Sequence, residues 1–539
     1  MTKQSFVKGA AILTLAGLSV RGVGAVFRIV LAILITDEGV GLYQMAYPVY
    51  STLLAISTAG IPIAISKLVA ENVTYGNYRG AYRIFQTALF LLALFGLIVS
   101  LVLYQGADYF ARAIAMDERA YLPLISISPA IFLVSVMSAY RGFFQGQQQM
   151  IPTAFSQIAE QLGRVVIGLV LVVLLLPRGL AYAAAGASFG AAAGALCGLC
   201  VLVVTWWQQR KGYLRHMQRQ TAVDHQSFAS IIKKIFSLAV PITLGSLVMP
   251  LISIVDLSVV PLRLRAAGFD ISRATALYGQ LAGMATPIIH IPTIITVSLA
   301  ISLVPAISSA LALHKTHLLQ ARAYLAMRLT LLLGIPSAFG LYLLAEPICV
   351  LIFNNAEAGG VLAVSALGVI FLTLYQTTSA ILQGLGRMMI PVINLFWGAL
   401  VKTGVTWLLT ARPDFNVRGA ALATVLGFGI AALLNVYQVQ RLTGMPMRPL
   451  ETIFKPLLAS AVMGISVVAC YGYAETMFMA LQIAKANHIA TIISVVVGAG
   501  LYLFCMLMIG GITRDDLLMI PRLGPSLVTL AARFHILRG

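Results

Sequence analysis

Residues 84–106 read IFQTALFLLALFGLIVSLVLYQG, a run without one charged side chain. At about 1.5 Å per helical residue this segment is about 34 Å long, enough to cross a hydrocarbon core of about 30 Å. Fourteen such stretches fit the chain: 9–35, 41–66, 84–106, 120–140, 152–177, 181–207, 235–260, 277–310, 323–345, 361–386, 391–411, 419–440, 456–474 and 489–511. At roughly 25 residues each they take up about 350 of the 539 positions. Composition agrees: 60% of residues are hydrophobic and 10% charged, where a soluble domain is about half apolar and a quarter charged. The longest hydrophilic stretch, 208–234, leaves no room for an extramembrane catalytic domain. The chain reads as an all-α polytopic membrane protein with about 14 transmembrane helices. Its first apolar stretch carries Arg21 and Arg28 and no clear cleavage site, so it reads as a span and not as a removable signal.

An even number of spans puts both termini on one side, and the loop charges say which. One side collects 22 Lys and Arg against five acids, and the other nine against ten. Cation-rich loops stay in the cytoplasm, so both termini are expected there. The formal net charge of +19 then follows from topology and calls for no nucleic-acid partner; the basic loops face anionic membrane lipids. Trp206 and Trp207, closing span six, read as interfacial anchors. Cys197 and Cys200 form a Cys-x-x-Cys inside a Gly/Ala-rich span with no second ligand pair, and read as small packing residues.

The chain also repeats itself. Gln145-Gly146 with Pro152 recurs as Gln383-Gly384 with Pro391, Gly186-Ala187 as Gly419-Ala420, and Ala64-Ile65-Ser66 as Ala306-Ile307-Ser308, at offsets of 233 to 242. Six helices per copy is even, so the two copies enter the membrane the same way up, as pseudo-symmetric lobes with a substrate path between them. The expected organisation is an N-terminal six-helix lobe (1–210), a cytoplasmic basic linker (211–234), a C-terminal six-helix lobe (235–441), two further transmembrane helices (442–511) and a cytoplasmic amphipathic tail (512–539). Gly186, Gly190, Gly194 and Gly198 line one stripe of span six, where another backbone can approach closely.

Seven ionisable residues fall inside spans: Arg21, Arg28, Glu160, Arg164, Asp256, Arg328 and Lys402. Each costs about 2.5–3.5 kcal/mol at the bilayer centre, so most should face a wet interior or one another. Arg328 lies about one turn into span nine and can snorkel to the headgroups. Arg21 and Arg28 are two turns apart on one face; they line a cavity, pair with acids or, for Arg28, snorkel. Glu160 and Arg164 stand at i and i+4 and can pair within their helix. By the offset of 238, Arg164 maps onto Lys402, placing a cation at matching depth in both copies. Asp256 is the only acid within the second copy's spans, and either balances Lys402 or binds a coupling cation. Four cavity cations against two acids should attract an anion, and arginine forks suit phosphate oxygens. No Gly-x-x-x-x-Gly-Lys-Ser/Thr loop occurs, so ATP hydrolysis is not expected, and no histidine has metal-ligand spacing. His290, beside Pro287 and Pro292, reads as a proton relay or as a packing histidine.

Gly41-Leu42-Tyr43-Gln44-Met45-Ala46-Tyr47-Pro48, Gly60-Ile61-Pro62-Ile63-Ala64-Ile65-Ser66-Lys67-Leu68-Val69-Ala70-Glu71, Phe6-Val7-Lys8-Gly9 with Arg21 and Arg28, and Tyr140-Arg141-Gly142-Phe143-Phe144-Gln145-Gly146 resemble the stage V sporulation protein B family. That family belongs to the multidrug/oligosaccharidyl-lipid/polysaccharide exporter superfamily, alongside the MurJ-type lipid II flippases. The resemblance implies a V-shaped pair of six-helix lobes, with spans thirteen and fourteen forming a groove for a polyprenyl tail. It also implies essential cavity arginines, here Arg21 and Arg28. Some members bind sodium through acids and an asparagine of the C-terminal lobe; Asp256 and Asn394 are the matching candidates, but span eleven carries Lys402 and no acid.

Together these readings describe an alternating-access flippase, not an enzyme, for an undecaprenyl-pyrophosphate-linked saccharide. Arg21, Arg28, Arg164 and Lys402 bind the pyrophosphate, and Glu160, Asp256 and Asn394 balance charge or serve coupling. No cofactor or metal is expected beyond a coupling cation, and cell-wall synthases are the expected protein partners. A drug/cation antiporter of the same fold should instead show an acidic cavity. A lipid-linked glycan polymerase or ligase should show acids or a histidine clustered on an outer loop; 107–119 and 261–276 are short and carry no such cluster.

Overall fold

The computed structural model describes residues 6–218, 227–446, 448–483 and 485–512. The tail expected over 512–539 lies, past Ile512, outside the described residues. Among those residues every regular element is helical: α1 (Phe6–Thr58), α2 (Ile61–Thr74), α3 (Tyr78–Tyr109), α4 (Tyr121–Gly146), α5 (Met150–Leu175), α6 (Leu180–Gln218), α7 (Phe228–Ala266), α8 (Ile271–Gly279), α9 (Thr286–Ile289), α10 (Thr293–Ala312), α11 (Thr316–Leu343), α12 (Ala345–Phe353), α13 (Glu357–Ala366), α14 (Gly368–Gly384), α15 (Met389–Leu409), α16 (Asn416–Thr443), α17 (Lys455–Ala480) and α18 (Ala486–Met508). Short polar residues start several of them. Asn77 accepts a hydrogen bond from the Gly80 amide at the head of α3 and Ser227 one from the Ser230 amide at the head of α7.

Twelve of the described helices are long and apolar enough to cross a bilayer, or thirteen with α13 and α14, bent by 43°, taken as one span. The count falls short of fourteen because Leu15–Thr74 passes as one 60-residue stretch. At about 1.5 Å per residue that would be about 90 Å, three bilayer cores. Thr36, at φ 59°, breaks α1 between the positions expected for spans one and two. The continuous span expected over 277–310 is also interrupted: α8 runs into a π-helical turn at Gln280–Ala285, then α9, then α10. Pro287 and Pro292 each withhold one backbone donor there. Within the expected linker, α6 continues to Gln218 and α7 starts at Phe228.

The chain forms two compact units, Met1–Gly283 and Met284–Gly539. In the first, α7 packs on α1, α2 and α3, and the Thr243 hydroxyl accepts a hydrogen bond from the Gly60 amide at 3.1 Å. One core cluster of this unit is an aromatic knot: Phe85 lies 4.5 Å from Phe143, and Tyr82 stacks on Trp206 at 5.8 Å. Trp206 is therefore a buried core residue, against its reading as an anchor, because its ring turns inward onto α3 and α4; Trp207 is 73% exposed. In the second unit, Arg328 Nη2 donates to the Gly511 carbonyl at 2.8 Å and Lys455 Nζ to the Gly510 carbonyl at 2.9 Å. Arg328 thus meets a carbonyl just past the negative end of α18. Tyr502 donates to the Leu332 carbonyl at 2.8 Å, tying α18 to α11.

The repeat is visible inside each unit. A Cβ placed on Gly186 would lie 3.0 Å from Leu171, and one on Gly419 would lie 2.9 Å from Leu409. Both members of the pair are repeat counterparts, so α5 meets α6 as α15 meets α16. One stripe further along, the same construction on Gly194 meets the Arg164 Cβ at 3.0 Å, and on Gly427 the Lys402 Cβ at 2.9 Å. Arg164 and Lys402 therefore leave their helices from equivalent positions, beside the same glycine of the following helix.

Candidate functional site

The charge cluster in the first unit is built on α5. Glu160 and Arg164 sit one turn apart, with Arg164 Nη2 3.3 Å from Glu160 Oε1. The other carboxylate oxygen, Oε2, accepts from Arg141 Nη2 on α4 at 2.9 Å. Arg141 Nε also donates to Ser156 Oγ at 3.0 Å. The three charged side chains are 15–18% exposed. Two guanidinium groups share one carboxylate, so the triad carries one surplus positive charge. Arg164 Nε is buried and, among the described residues, has no hydrogen-bond partner.

Opposite this triad runs a tyrosine stripe. Tyr43, Tyr47 and Tyr50, at helical spacing along the second half of α1, follow one another as tilted rings with centroids 6.3 and 5.8 Å apart. All three lie within electrostatic reach of Arg164, and Tyr43 also within reach of Arg28. Phe27, one residue before Arg28, packs edge-on against Tyr43 at 6.1 Å. Arg21 and Arg28 are exposed on the first half of α1. The arrangement is a cationic patch rimmed by phenol hydroxyls, the donor set that holds anionic oxygens.

The remaining candidates lie on other helices. Asp256, half-buried on α7, interacts electrostatically with Tyr278 of α8 and belongs to the first unit, whereas Lys402 belongs to the second. Asn394 is buried, and its Nδ2 donates to Asn435 Oδ1 at 2.8 Å; Asn435 Nδ2 donates in turn to Ser379 Oγ at 3.1 Å. His290 is exposed at the end of α9.

Two features went unread in the sequence. Arg141, one residue past the expected end of span four, reads from its position as a loop cation, and only the α4–α5 hairpin brings it to Glu160. The second is a polar knot around Arg119, which donates to Glu38 Oε1 at 2.6 Å and forks onto Asp117 through Nε and Nη2 at 3.0 and 2.8 Å. Thr275 donates to Asp117 at 2.7 Å, and Gln280 donates to Asp37 at 2.8 Å. Burial works against the Asp117 charge, but these donors outweigh it and hold its carboxyl below the usual range. The knot joins the turn after span one, the segment before α4 and α8. The tyrosine spacing was present in the sequence; the knot, assembled from three distant segments, left no local signal.

Many apolar spans, an internal repeat and cations at equivalent helix positions fit a multi-pass membrane transporter of the exporter class. The fold is similar to that of a lipid II flippase MurJ solved in an inward closed conformation, with a TM-score of 0.65 at 16% identity over 92% of this chain and 98% of that one. Residues 6–311 match the polysaccharide biosynthesis protein family, and residues 280–408 match MatE. The stage V sporulation protein B of Bacillus subtilis (strain 168) is 31% identical over 98% of this chain and 100% of its own length. The lipid II flippase MurJ of the same organism is 29% identical over 93% of this chain and 94% of its own. The chain belongs to the polysaccharide biosynthesis protein family, in the stage V sporulation protein B group of the multidrug/oligosaccharidyl-lipid/polysaccharide exporter superfamily.

Proposed function

We propose that this protein is an alternating-access flippase that carries an undecaprenyl-pyrophosphate-linked saccharide, a peptidoglycan precursor or related cell-wall glycan, out across the cytoplasmic membrane. The supporting observation is the equivalence of Arg164 and Lys402, which gives each half a cation at the same helical position. The relatives' names point to the same substrate class. In this reading Arg21, Arg28, Arg164 and Lys402 hold the pyrophosphate. Arg141 ties up half of Glu160, so that Arg164 keeps charge to offer. The sugars occupy an aqueous cavity, the polyprenyl tail stays in hydrocarbon, and rocking of the lobes carries the headgroup outward. No covalent step is required of the chain. Each charge that crosses gains about 2.3 kcal/mol per 100 mV of membrane potential. Glu160, Asp256 and Asn394 balance charge or serve a coupling cation, both termini are cytoplasmic, and cell-wall synthases receive the exported substrate.

The test is complementation of a flippase-deficient strain. Arg21→Ala and Arg28→Ala should each abolish growth rescue while immunoblots show unchanged protein; rescue by both single variants overturns the assignment. A drug/cation antiporter is the second reading, favoured by the MatE match over residues 280–408. Uptake of a cationic dye into inverted vesicles separates the two, since the surplus of interior cations repels such a substrate.

A further inference from the structure

The first half of α1 lies against the middle of α5, and two glycines set the approach. A Cβ placed on Gly24 would lie 3.1 Å from Gln161 Nε2. One placed on Gly168 would lie 3.4 Å from the Phe27 ring, which in turn meets Tyr43 edge-on at 6.1 Å. Arg21 and Arg28 stand three residues before Gly24 and four after it, on its face of α1. The Gln161 amide therefore approaches α1 between the two arginines. Arg164 follows Gln161 by three residues, on the neighbouring turn of the same face of α5. Among the described residues Gln161 makes no hydrogen bond.

The tyrosine stripe adds a second set of unused donors. Tyr43 and Tyr50 are only 8% and 3% exposed, so their ring faces are closed to a stacked sugar. Yet among the described residues none of the three phenol oxygens makes a hydrogen bond, and none is a fully enclosed polar atom. A buried tyrosine ordinarily finds a partner for its hydroxyl; these three open onto space within reach of Arg164. Such neutral donors are not repeated in the second copy. At offsets of 233 to 242, Tyr47 and Tyr50 fall within 280–292, which holds no tyrosine. At 238, Gln161 falls on Ala399, although Arg164 falls on Lys402. The cation recurs and the neutral donors beside it do not.

A pyrophosphate carries more free oxygens than negative charges, so a site that merely balances its charge leaves acceptors unserved. We propose that Tyr43, Tyr47, Tyr50 and Gln161 are headgroup-binding residues that complete a pyrophosphate site in the first half of the molecule, an inference that rests on the flippase reading above. Arg21, Arg28 and Arg164 meet the charge, while the phenols and the Gln161 amide donate to the remaining oxygens. These donors add hydrogen bonds without adding charge, so they orient the headgroup without deepening the electrostatic trap from which it must later leave. The headgroup is thus held asymmetrically, chiefly by the first half.

The experiment is native mass spectrometry of the full-length, delipidated protein titrated with undecaprenyl pyrophosphate or with undecaprenol, which has the same tail and no phosphate. The wild type should bind the pyrophosphate about a hundredfold more tightly, as several charge-assisted hydrogen bonds require. Tyr47→Phe keeps the ring and loses only the hydroxyl, and Gln161→Leu loses only the amide. Each should cut the preference about tenfold while binding undecaprenol as the wild type does, which a merely structural loss would not. Tyr437→Phe, exposed on α16 of the second unit, should keep the full preference. An undiminished preference in both Tyr47→Phe and Gln161→Leu overturns the proposal; if Arg21→Ala loses the preference in the same series, the flippase reading stands without it. A wild type that binds the two lipids equally overturns both.

Discussion

Glu160 is the residue on which the interior charges of the first unit turn. Its two oxygens are divided between Arg141 and Arg164 at 2.9 and 3.3 Å. Removing the carboxylate would leave two guanidinium groups facing each other in a mostly buried site, and breaking such a pair costs about 3–5 kcal/mol. Glu160→Gln should therefore lower the thermal midpoint of the purified protein by several degrees. The double variant Arg141→Gln, Glu160→Gln should recover part of the loss, since it also withdraws one of the stranded cations. Strictly additive effects in that cycle would show that the triad is not one energetic unit. Asp117 follows the same logic in a different place. Its carboxyl titrates below the usual range, so the stabilisation from its bonds to Arg119 and Thr275 is complete above that range. It is lost only as pH falls through the depressed value.

Pairs of helices set how closely these charges are held. α5 and α6 touch almost backbone to backbone because Gly194 has no side chain to meet the Glu160 carbonyl and the Arg164 amide, and α15 and α16 do the same at Gly427. Gly194→Val and Gly427→Val should each destabilise the protein by about 1–3 kcal/mol through overpacking. Gly404→Val, with open space around the new Cβ, should not. Thermal unfolding of the three variants checks this, and a loss confined to one half would count against the two helix pairs being equivalent. The stripe of small residues on span six was readable from spacing alone. Its partner surface was not, because which helix lies against a glycine stripe depends on hairpin geometry and not on composition.

For the whole molecule, the distribution of loop cations predicts an orientation. With the five natural cysteines replaced by serine, Gln148→Cys in the α4–α5 turn should react with an impermeant maleimide only after the membrane is opened. Asp414→Cys, between α15 and α16, should react on intact cells. The reverse pattern would invert the topology and place the basic loops outside.

What the sequence by itself determined is what depends on local composition and period: that the chain is helical and membrane-spanning, where most spans lie, that the plan is repeated, and that Arg164 and Lys402 correspond. A span needs only a long enough apolar run, and a repeat needs only similarity at an offset, so neither requires knowing which helices touch. The tertiary structure decided the rest. It gave Glu160 a second partner in Arg141, faced Tyr43, Tyr47 and Tyr50 toward Arg164, turned Trp206 inward, bound Arg328 just past the end of α18, and gathered Asp37, Glu38, Asp117, Arg119, Thr275 and Gln280 into one knot. These are contacts between residues far apart in the chain. They arise because a buried charge or dipole must find its partner on whichever neighbouring helix packing supplies, and no local pattern names that helix.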